Sequence, residues 1–279
     1  MENKSEIKYI TDKKRELEEF IKLETMKVEF LSNMSHEFRT PINIILAIVQ
    51  LLNLHNKPLG DEKYKEYLNI LKQNSYRLLR LVNNVMDITK VNSDSDKLNL
   101  VNCNIVSVLE EIVMSTVLYA SEKKRNIIFD TDSEEIILAC DEDKIERIML
   151  NLISNAIKFS QLHTDIEIKI KRNVDLNRVY ISVKNYGSNI EFKDREKIFE
   201  RFYRVDNSLN RKNEGCGIGL FLCRKFIEMH GGEIFLDNID TQFSFYLPIN
   251  ITEEKINNPI IQKDSLIEKC NIEFSDIYT

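Results

Sequence analysis

Three groups of residues combine types and spacings suited to chemistry. The first is the run Leu31-Ser32-Asn33-Met34-Ser35-His36-Glu37-Phe38-Arg39-Thr40-Pro41, which sets a polar histidine beside an acid, one turn before a proline. A histidine can accept a phosphoryl group because one ring nitrogen attacks while the other is held in a fixed tautomer. A lone helical histidine is more often structural, so this run needs support from elsewhere. The second group is Arg147, Asn151 and Asn155, spaced by four on a helix expected over Glu142 to Phe159. That spacing puts them on one face, with Ile145, Ile148, Leu152 and Phe159 on the other, buried one. The third is Gly215-Cys216-Gly217-Ile218-Gly219-Leu220 ahead of a helix. Glycines let backbone N–H groups approach phosphate, and a helix N-terminus favours its charge. Turns use the same residues, so the loop decides nothing alone.

The chain that must position these groups has 279 residues, enough for about two domains. Hydrophobic residues make up 43% and charged residues 30%, consistent with real cores under a soluble surface. A net charge of −6, with no basic cluster interleaved with aromatics, argues against nucleic acid as a partner. The longest apolar run, Ile42 to Leu54, is broken by Asn43, Gln50 and Asn53 and is too short for a bilayer span, which needs ~20 apolar residues. The N-terminus is polar and mixed in charge, unlike a signal peptide. Cys103, Cys140, Cys216, Cys223 and Cys270 are odd in number and form no CxxC pair, which reads as free thiols in a reducing cytoplasm. None of the four histidines stands at metal-ligand spacing, so no protein-caged metal is expected.

Two helices open the chain. One, from about Val28 to His55, turns back through Asn56-Lys57-Pro58-Leu59-Gly60, with Pro41 expected to interrupt and bend it just after His36. The other carries Tyr64, Leu68, Leu71, Ser75, Leu78, Val82 and Val85 in steps of four and three, the seam of a helical bundle. One hairpin buries one face only, so two copies should pair into a four-helix bundle. Residues 1–27 precede it as a leader helix, either the end of a signalling helix or an ordinary solvated one. After the polar linker Asn92-Ser93-Asp94-Ser95-Asp96 the pattern becomes α/β. A helix over Ile105 to Val113 and short strands over Ile127 to Asp130 and Ile136 to Cys140 come first. Beyond the helix ending at Phe159, Ile166/Ile168/Ile170 and Val179/Ile181/Val183 alternate at period two. A helix over Leu220 to His230, a Gly231-Gly232 stop and strands around Ile234 and Phe243/Phe245/Leu247 close the domain. The fold class is therefore α+β: a helical hairpin, then a mixed sheet covered by helices on one face.

Taken in order, the His36 run, Asn151-Leu152-Ile153-Ser154-Asn155-Ala156-Ile157-Lys158-Phe159, Gly187 and Gly215/Gly217/Gly219 closely resemble the core of a two-component sensor histidine kinase. The resemblance covers roughly residues 25 to 249. It implies a dimerisation and phosphoacceptor domain over 28–92 and an ATP-binding domain over 98–249. The latter is the sandwich shared with Hsp90-type chaperones and gyrase-type ATPases. By the same resemblance, His36 attacks the γ-phosphate of ATP, Glu37 orients its ring, and Arg39 helps to anchor phosphate. Thr40 then positions the water that hydrolyses a regulator's aspartyl phosphate, a reading slightly ahead of a plain Thr-Pro helix bend. Asn155 is the Mg²⁺ ligand, Asn151 lies near the triphosphate, Lys158 contacts phosphate and Phe159 lies against adenine. Ile198-Phe199-Glu200-Arg201-Phe202-Tyr203-Arg204 resembles the family's lid, with Phe199 and Phe202 packing it down and Arg204 reaching toward phosphate. Gly215, Gly217, Gly219 and Leu220 complete the site. The implied partners are a second copy of the chain and a response-regulator receiver domain. The implied compartment is the cytoplasm, for a complete kinase or for the cytoplasmic part of a membrane receptor.

The chain departs from the family in its adenine loop, usually Asp-x-Gly-x-Gly-Ile and here Asn185-Tyr186-Gly187-Ser188-Asn189-Ile190. Asn185 can still accept from adenine but without the charge that strengthens such bonds. Asn189, in place of the second glycine, fits a left-handed or turn conformation. The final glycine loop is reduced to Asn238-Ile239-Asp240-Thr241-Gln242. These changes leave open a second reading, a weakly active homologue serving as a dimeric docking scaffold. A gyrase- or Hsp90-like ATPase is a distant third, since it gives the His36 run no role. Residues 250–279 lie beyond the resemblance and read as a flexible or loosely docked tail.

Overall fold

Helix α1 (Glu2–Leu54) runs through Pro41 without a break, joining the expected leader to the histidine helix. A computed structural model describes residues 2–54, 60–92, 97–187, 189–205, 217–237, 241–253 and 263–277. The expected interruption at Pro41 is corrected because an internal proline removes one donor only, here the one that would serve the Glu37 carbonyl. Thr40 Oγ1 donates to the His36 carbonyl four residues back, at 3.2 Å. The expected turn at 56–60 lies outside the described residues except for Gly60.

Helix α2 (Asp61–Asn92) packs back along α1. Its seam residues Tyr64, Leu68 and Val82 stay largely exposed, as do Ile42, Leu46 and Val49 of α1. A second face, offset by one residue, is buried instead: Asn74, Arg77, Leu81, Asn84 and Ile88. One residue is about 100° around a helix, so α2 presents one stripe to solvent and another to the rest of the chain.

The second domain begins with β1 (Val101–Asn104), which pairs antiparallel with β3 (Ile137–Cys140). Between them lie α3 (Ile105–Glu122) and β2 (Asn126–Thr131). Asn104 caps α3 by accepting from the Val106 N–H at 3.2 Å. Helix α4 (Glu142–Phe159) is capped by Asp141, which accepts from the Lys144 N–H at 3.1 Å, and Glu142 and Asp143 favour the positive end of its dipole. The chain continues through β4 (Asp165–Asn173), β5 (Arg178–Asn185), α5 (Gly219–Met229), β6 (Glu233–Leu236) and β7 (Thr241–Pro248). The main sheet runs β2-β4-β5-β7-β6, with β2 and β4 parallel and every other neighbour antiparallel. Register lines up Ile168 with Val183 and Val183 with Phe243, and likewise Ile170, Ile181 and Phe245. All of these side chains are buried. Each such side chain contributes roughly 1.5–3 kcal/mol, and the alternation sends all of them to the side that α3, α4 and α5 cover.

The thiols of Cys103, Cys140, Cys223 and Cys270 are buried and unbridged. Burial pushes the Cys270 thiol up to about 11, far from the reactive thiolate range.

His230, following α5, joins this domain's parts. Its Nε2 accepts from the Asp141 N–H at 3.0 Å, and its Nδ1 lies 2.6 Å from the Phe226 carbonyl. The pair of bonds requires the neutral ring with the proton on Nδ1. Burial, aided by Lys144 and opposed by the Phe226 carbonyl and Asp141, lowers its pKa from 6.5. Unfolding then takes up a proton below that value, so stability falls as pH drops through about 6.5, by up to ~1.4 kcal/mol per pH unit. Thermal melts between pH 7.5 and 5.5 should show this slope. His230→Gln should flatten it, and an unchanged slope in the variant would refute the assignment.

The largest correction concerns the C-terminus. Residues 263–277 are not a loose tail. Helix α6 (Lys263–Glu273) and the turn after it bury Leu266, Cys270, Phe274 and Ile277 against α2, α3 and α4. Their spacing of four, four and three is that of one helical face, interrupted by enough charge to read as solvated.

Candidate functional site

His36 is exposed on α1, with Thr40 exposed one turn on and Glu37 half-buried between them. The face that holds this helix is made by Phe30, Met34 and Phe38, spaced by four. Met34 is buried, and the two phenylalanines pack against the core. Phe30 also stacks on Phe202, with ring centroids 4.0 Å apart. Phe202 lies in the lid-like segment, so the histidine helix and that segment touch directly.

The second cluster gathers on α4. Asn151 is buried and Asn155 half-buried, and Asn155 Nδ2 lies 3.4 Å from Asn151 Oδ1. Gly219 begins α5 against Asn151: a Cβ there would lie 2.4 Å from Asn151 Oδ1. Gly187 bridges to Ser160 just past α4, and a Cβ would meet the Phe159 carbonyl at 2.2 Å. Gly217 takes φ +66°, which glycine tolerates, and its carbonyl accepts from the Phe202 N–H at 2.9 Å. Asn185 ends β5 almost fully buried, and its Nδ2 has no hydrogen-bond partner among the described residues. The folded chain therefore brings together Asn151, Asn155, Asn185, Gly187, Gly217, Gly219 and the lid residue Phe202. Phe199 is buried edge-on to Phe243. Leu220 is half-buried in the first turn of α5, and Arg204 is exposed. Gly215, Ser188 and residues 238–240 lie outside the described residues.

One expectation is corrected here. Phe159 is 48% exposed rather than on the buried face, because α4 ends at this residue and Ser160 turns away into the bridge with Gly187. Arg147 and Lys158, on the same face as the asparagines, are both engaged by acids. Arg147 Nη1 donates to Glu273 at 2.6 Å, with Asp87 at 3.4 Å, and Arg147 Nη2 donates to Asn84 Oδ1 at 2.6 Å. Lys158 Nζ donates to Asp276 at 2.6 Å. Burial lowers the Lys158 pKa first and neighbouring Arg80 second, while Asp276 and Glu273 pull it back up. Sequence reading missed Phe30, Arg80, Glu273 and Asp276. The apolar spacing 266/270/274/277 was the available signal for the last two.

Residues 26–94 match the His Kinase A (phospho-acceptor) domain, and residues 140–251 match the histidine kinase-, DNA gyrase B- and HSP90-like ATPase family. The chain carries a histidine kinase catalytic core. This core is similar to the sensor protein kinase WalK of Staphylococcus aureus, 29% identical over 235 residues, covering 83% of this chain and 56% of that protein. The chain thus spans little more than half the length of that curated relative. Full-length ShkA in complex with AMPPNP superposes with a TM-score of 0.59 at 27% identity, over 80% of this chain and 46% of that one. The histidine kinase ThkA, in complex with the response regulator protein TrrA, gives 0.57 at 26% identity, over 80% and 61%. The kinase core seen here is a helical hairpin followed by an ATPase-type α/β domain. Among the described residues no helix is long and apolar enough to cross a membrane.

Proposed function

We propose that this chain is an ATP-dependent protein-histidine kinase that phosphorylates His36 and passes the phosphoryl group to an aspartate on a response-regulator receiver domain. The observation that carries the reading is the joint presence of an exposed His36 on α1 and the converging Asn151, Gly187 and Gly219. One ring nitrogen of His36 attacks the γ-phosphorus of ATP. The bond to the β,γ-bridging oxygen breaks and ADP leaves, while the other ring nitrogen gives its proton to the Glu37 carboxylate that orients it. Regulator transfer reverses this at phosphorus, with a carboxylate oxygen displacing the ring nitrogen. Thr40 would position a hydrolytic water, although its bond to the His36 carbonyl also suits a plain helical role.

In the nucleotide site, Asn151 and Asn155 would face the triphosphate, Lys158 and Arg204 would supply positive charge, and Phe159 would lie on the base. The backbone at Gly215, Gly217, Gly219 and Leu220 would cradle phosphate. Mg²⁺ fits the donor set, because amide oxygens on α4 are hard ligands and this ion needs only one or two from the protein. Asn155, with only a long bond to Asn151, would hold it, and the ion would neutralise phosphate charge. Asn185 and Gly187 would read adenine, Asn185 through its buried Nδ2, a donor with no partner among the described residues that suits a ring nitrogen of the base. ATP as substrate and free thiols both suit the cytoplasm.

The direct test is incubation with γ-labelled ATP and Mg²⁺. Label should appear in an acid-labile, base-stable form, as a phosphoramidate does, and label on serine or threonine would refute the reading. The altered base pocket yields a separate expectation. Asn185→Asp restores a charged acceptor. A charged hydrogen bond is worth ~1.5–3 kcal/mol against ~1 for a neutral one, so the variant should bind an ATP analogue several-fold more tightly. Calorimetric titration checks it; equal or weaker binding would mean that this loop does not read adenine through residue 185.

A further inference from the structure

The acidic end of the chain sits on the basic residues that flank the nucleotide-site face of α4. Asp276 accepts from Lys158 at 2.6 Å and also pairs with Arg80. Glu273, with its side chain 1% exposed, pairs with Arg80 at 2.8 Å and with Arg147 at 2.6 Å. Arg77 Nε donates to the Ser275 carbonyl at 3.3 Å. The apolar side of the same segment is fully seated: Phe274 stacks on Tyr119 with centroids 4.8 Å apart, and Tyr119 Oη donates to Asn271. Lys269 bridges to Asp143 and Glu146 at the start of α4. One segment therefore ties α2 of the hairpin to α3 and α4 of the ATPase-type domain.

We infer that residues 263–277 are an intramolecular inhibitor, with the Asp276 carboxylate taking the place on Lys158 that a nucleotide phosphate would take. The inference rests on the function proposed above. Two negative groups cannot share Lys158 at low cost: with Asp276 in place, an arriving triphosphate meets a carboxylate beside an amine whose charge is already used. Burial resists ionisation of Asp276, but Arg80 and Lys158 outweigh it and hold the carboxyl below its usual range. It is thus a charged plug at neutral pH. Arg80, which pairs with both acids, retains Glu273 when Asp276 leaves, so the plug can lift while the staple to Arg147 holds. Nucleotide must then bind the fraction of molecules with Lys158 released, and the apparent affinity falls by that fraction.

The test compares Asp276→Asn, Glu273→Gln and the unaltered chain, each checked for folding by its melting curve. Titration with an ATP analogue and Mg²⁺ is the readout. Asp276→Asn should tighten binding about tenfold, the gain expected when a state populated at about one part in ten becomes dominant. Glu273→Gln leaves the plug on Lys158 and should stay within about twofold of the original. Analogue binding to the unaltered chain should also speed hydrogen exchange at residues 270–277. Unchanged affinity in Asp276→Asn overturns the inference alone. Equal gains from both variants would mean general loosening and overturn it too. Absence of analogue binding in all three proteins overturns the proposed function, and this inference with it.

Discussion

His36→Gln should abolish incorporation of label from γ-labelled ATP, to below detection, while leaving binding of an ATP analogue unchanged. Glutamine keeps the helix and much of the side-chain volume, but its amide nitrogen is not a nucleophile, so the step loses its acceptor outright. Binding should persist because His36 lies on α1, apart from the α4, Gly187 and Gly219 contacts that shape the second cluster. Phe30, Met34 and Phe38, which seat the helix, are untouched. Acid and base treatment of the labelled protein, with mass spectrometry of the acceptor peptide, reads the result. Label surviving in the variant would move the acceptor elsewhere and remove the chief support for the kinase reading.

The second large effect concerns assembly. Leu71→Asp with Leu78→Asp should convert a dimer into a monomer. Within the seam, Tyr64, Leu68 and Val82 stay more than two-fifths exposed, while Leu71, Leu78 and Val85 are half-buried after α1 and the second domain have packed against α2. An apolar stripe this long, flanked by Ile42, Leu46 and Val49 of α1, is what a second hairpin would cover. A dimer with micromolar dissociation constant is held by ~8 kcal/mol. Four carboxylates introduced across its seam, at ~2 kcal/mol or more each, would cancel that. Light scattering at micromolar concentration distinguishes the states, and a monomeric unaltered chain would refute the expectation. The buried face of α2 (Asn74, Arg77, Leu81, Asn84, Ile88) is spared, so the docked C-terminus should stay in place.

What the amino-acid sequence determined was local and periodic. Alternation at Ile166/Ile168/Ile170 and Val179/Ile181/Val183 specified strands because side chains in an extended chain point to opposite sides at every step. The apolar face of α4 specified that helix, whose observed ends are Glu142 and Phe159. The glycines at 187, 217 and 219 were legible because each close approach admits no Cβ, a demand written into one residue type. The His36 run was legible as a motif, and its exposure followed from polar neighbours on its face of α1.

Only the tertiary structure decided which charges would meet. Arg80 lies 193 residues from Glu273, and Lys158 lies 118 from Asp276. In the sequence Arg80, Glu273 and Asp276 look like ordinary solvated side chains, since an ion pair between distant elements leaves no periodicity behind. The same holds for Phe30 on Phe202 and for the second face of α2, offset by one residue from a seam that seemed to account for the helix. Pro41 shows the converse. Its local rule predicted a break, but one missing donor about three-quarters of the way along a 53-residue helix costs less than the packing of Phe30, Met34 and Phe38 returns. Local chemistry chose the elements and the reactive residues; long-range packing and charge pairing chose which of those residues are already occupied.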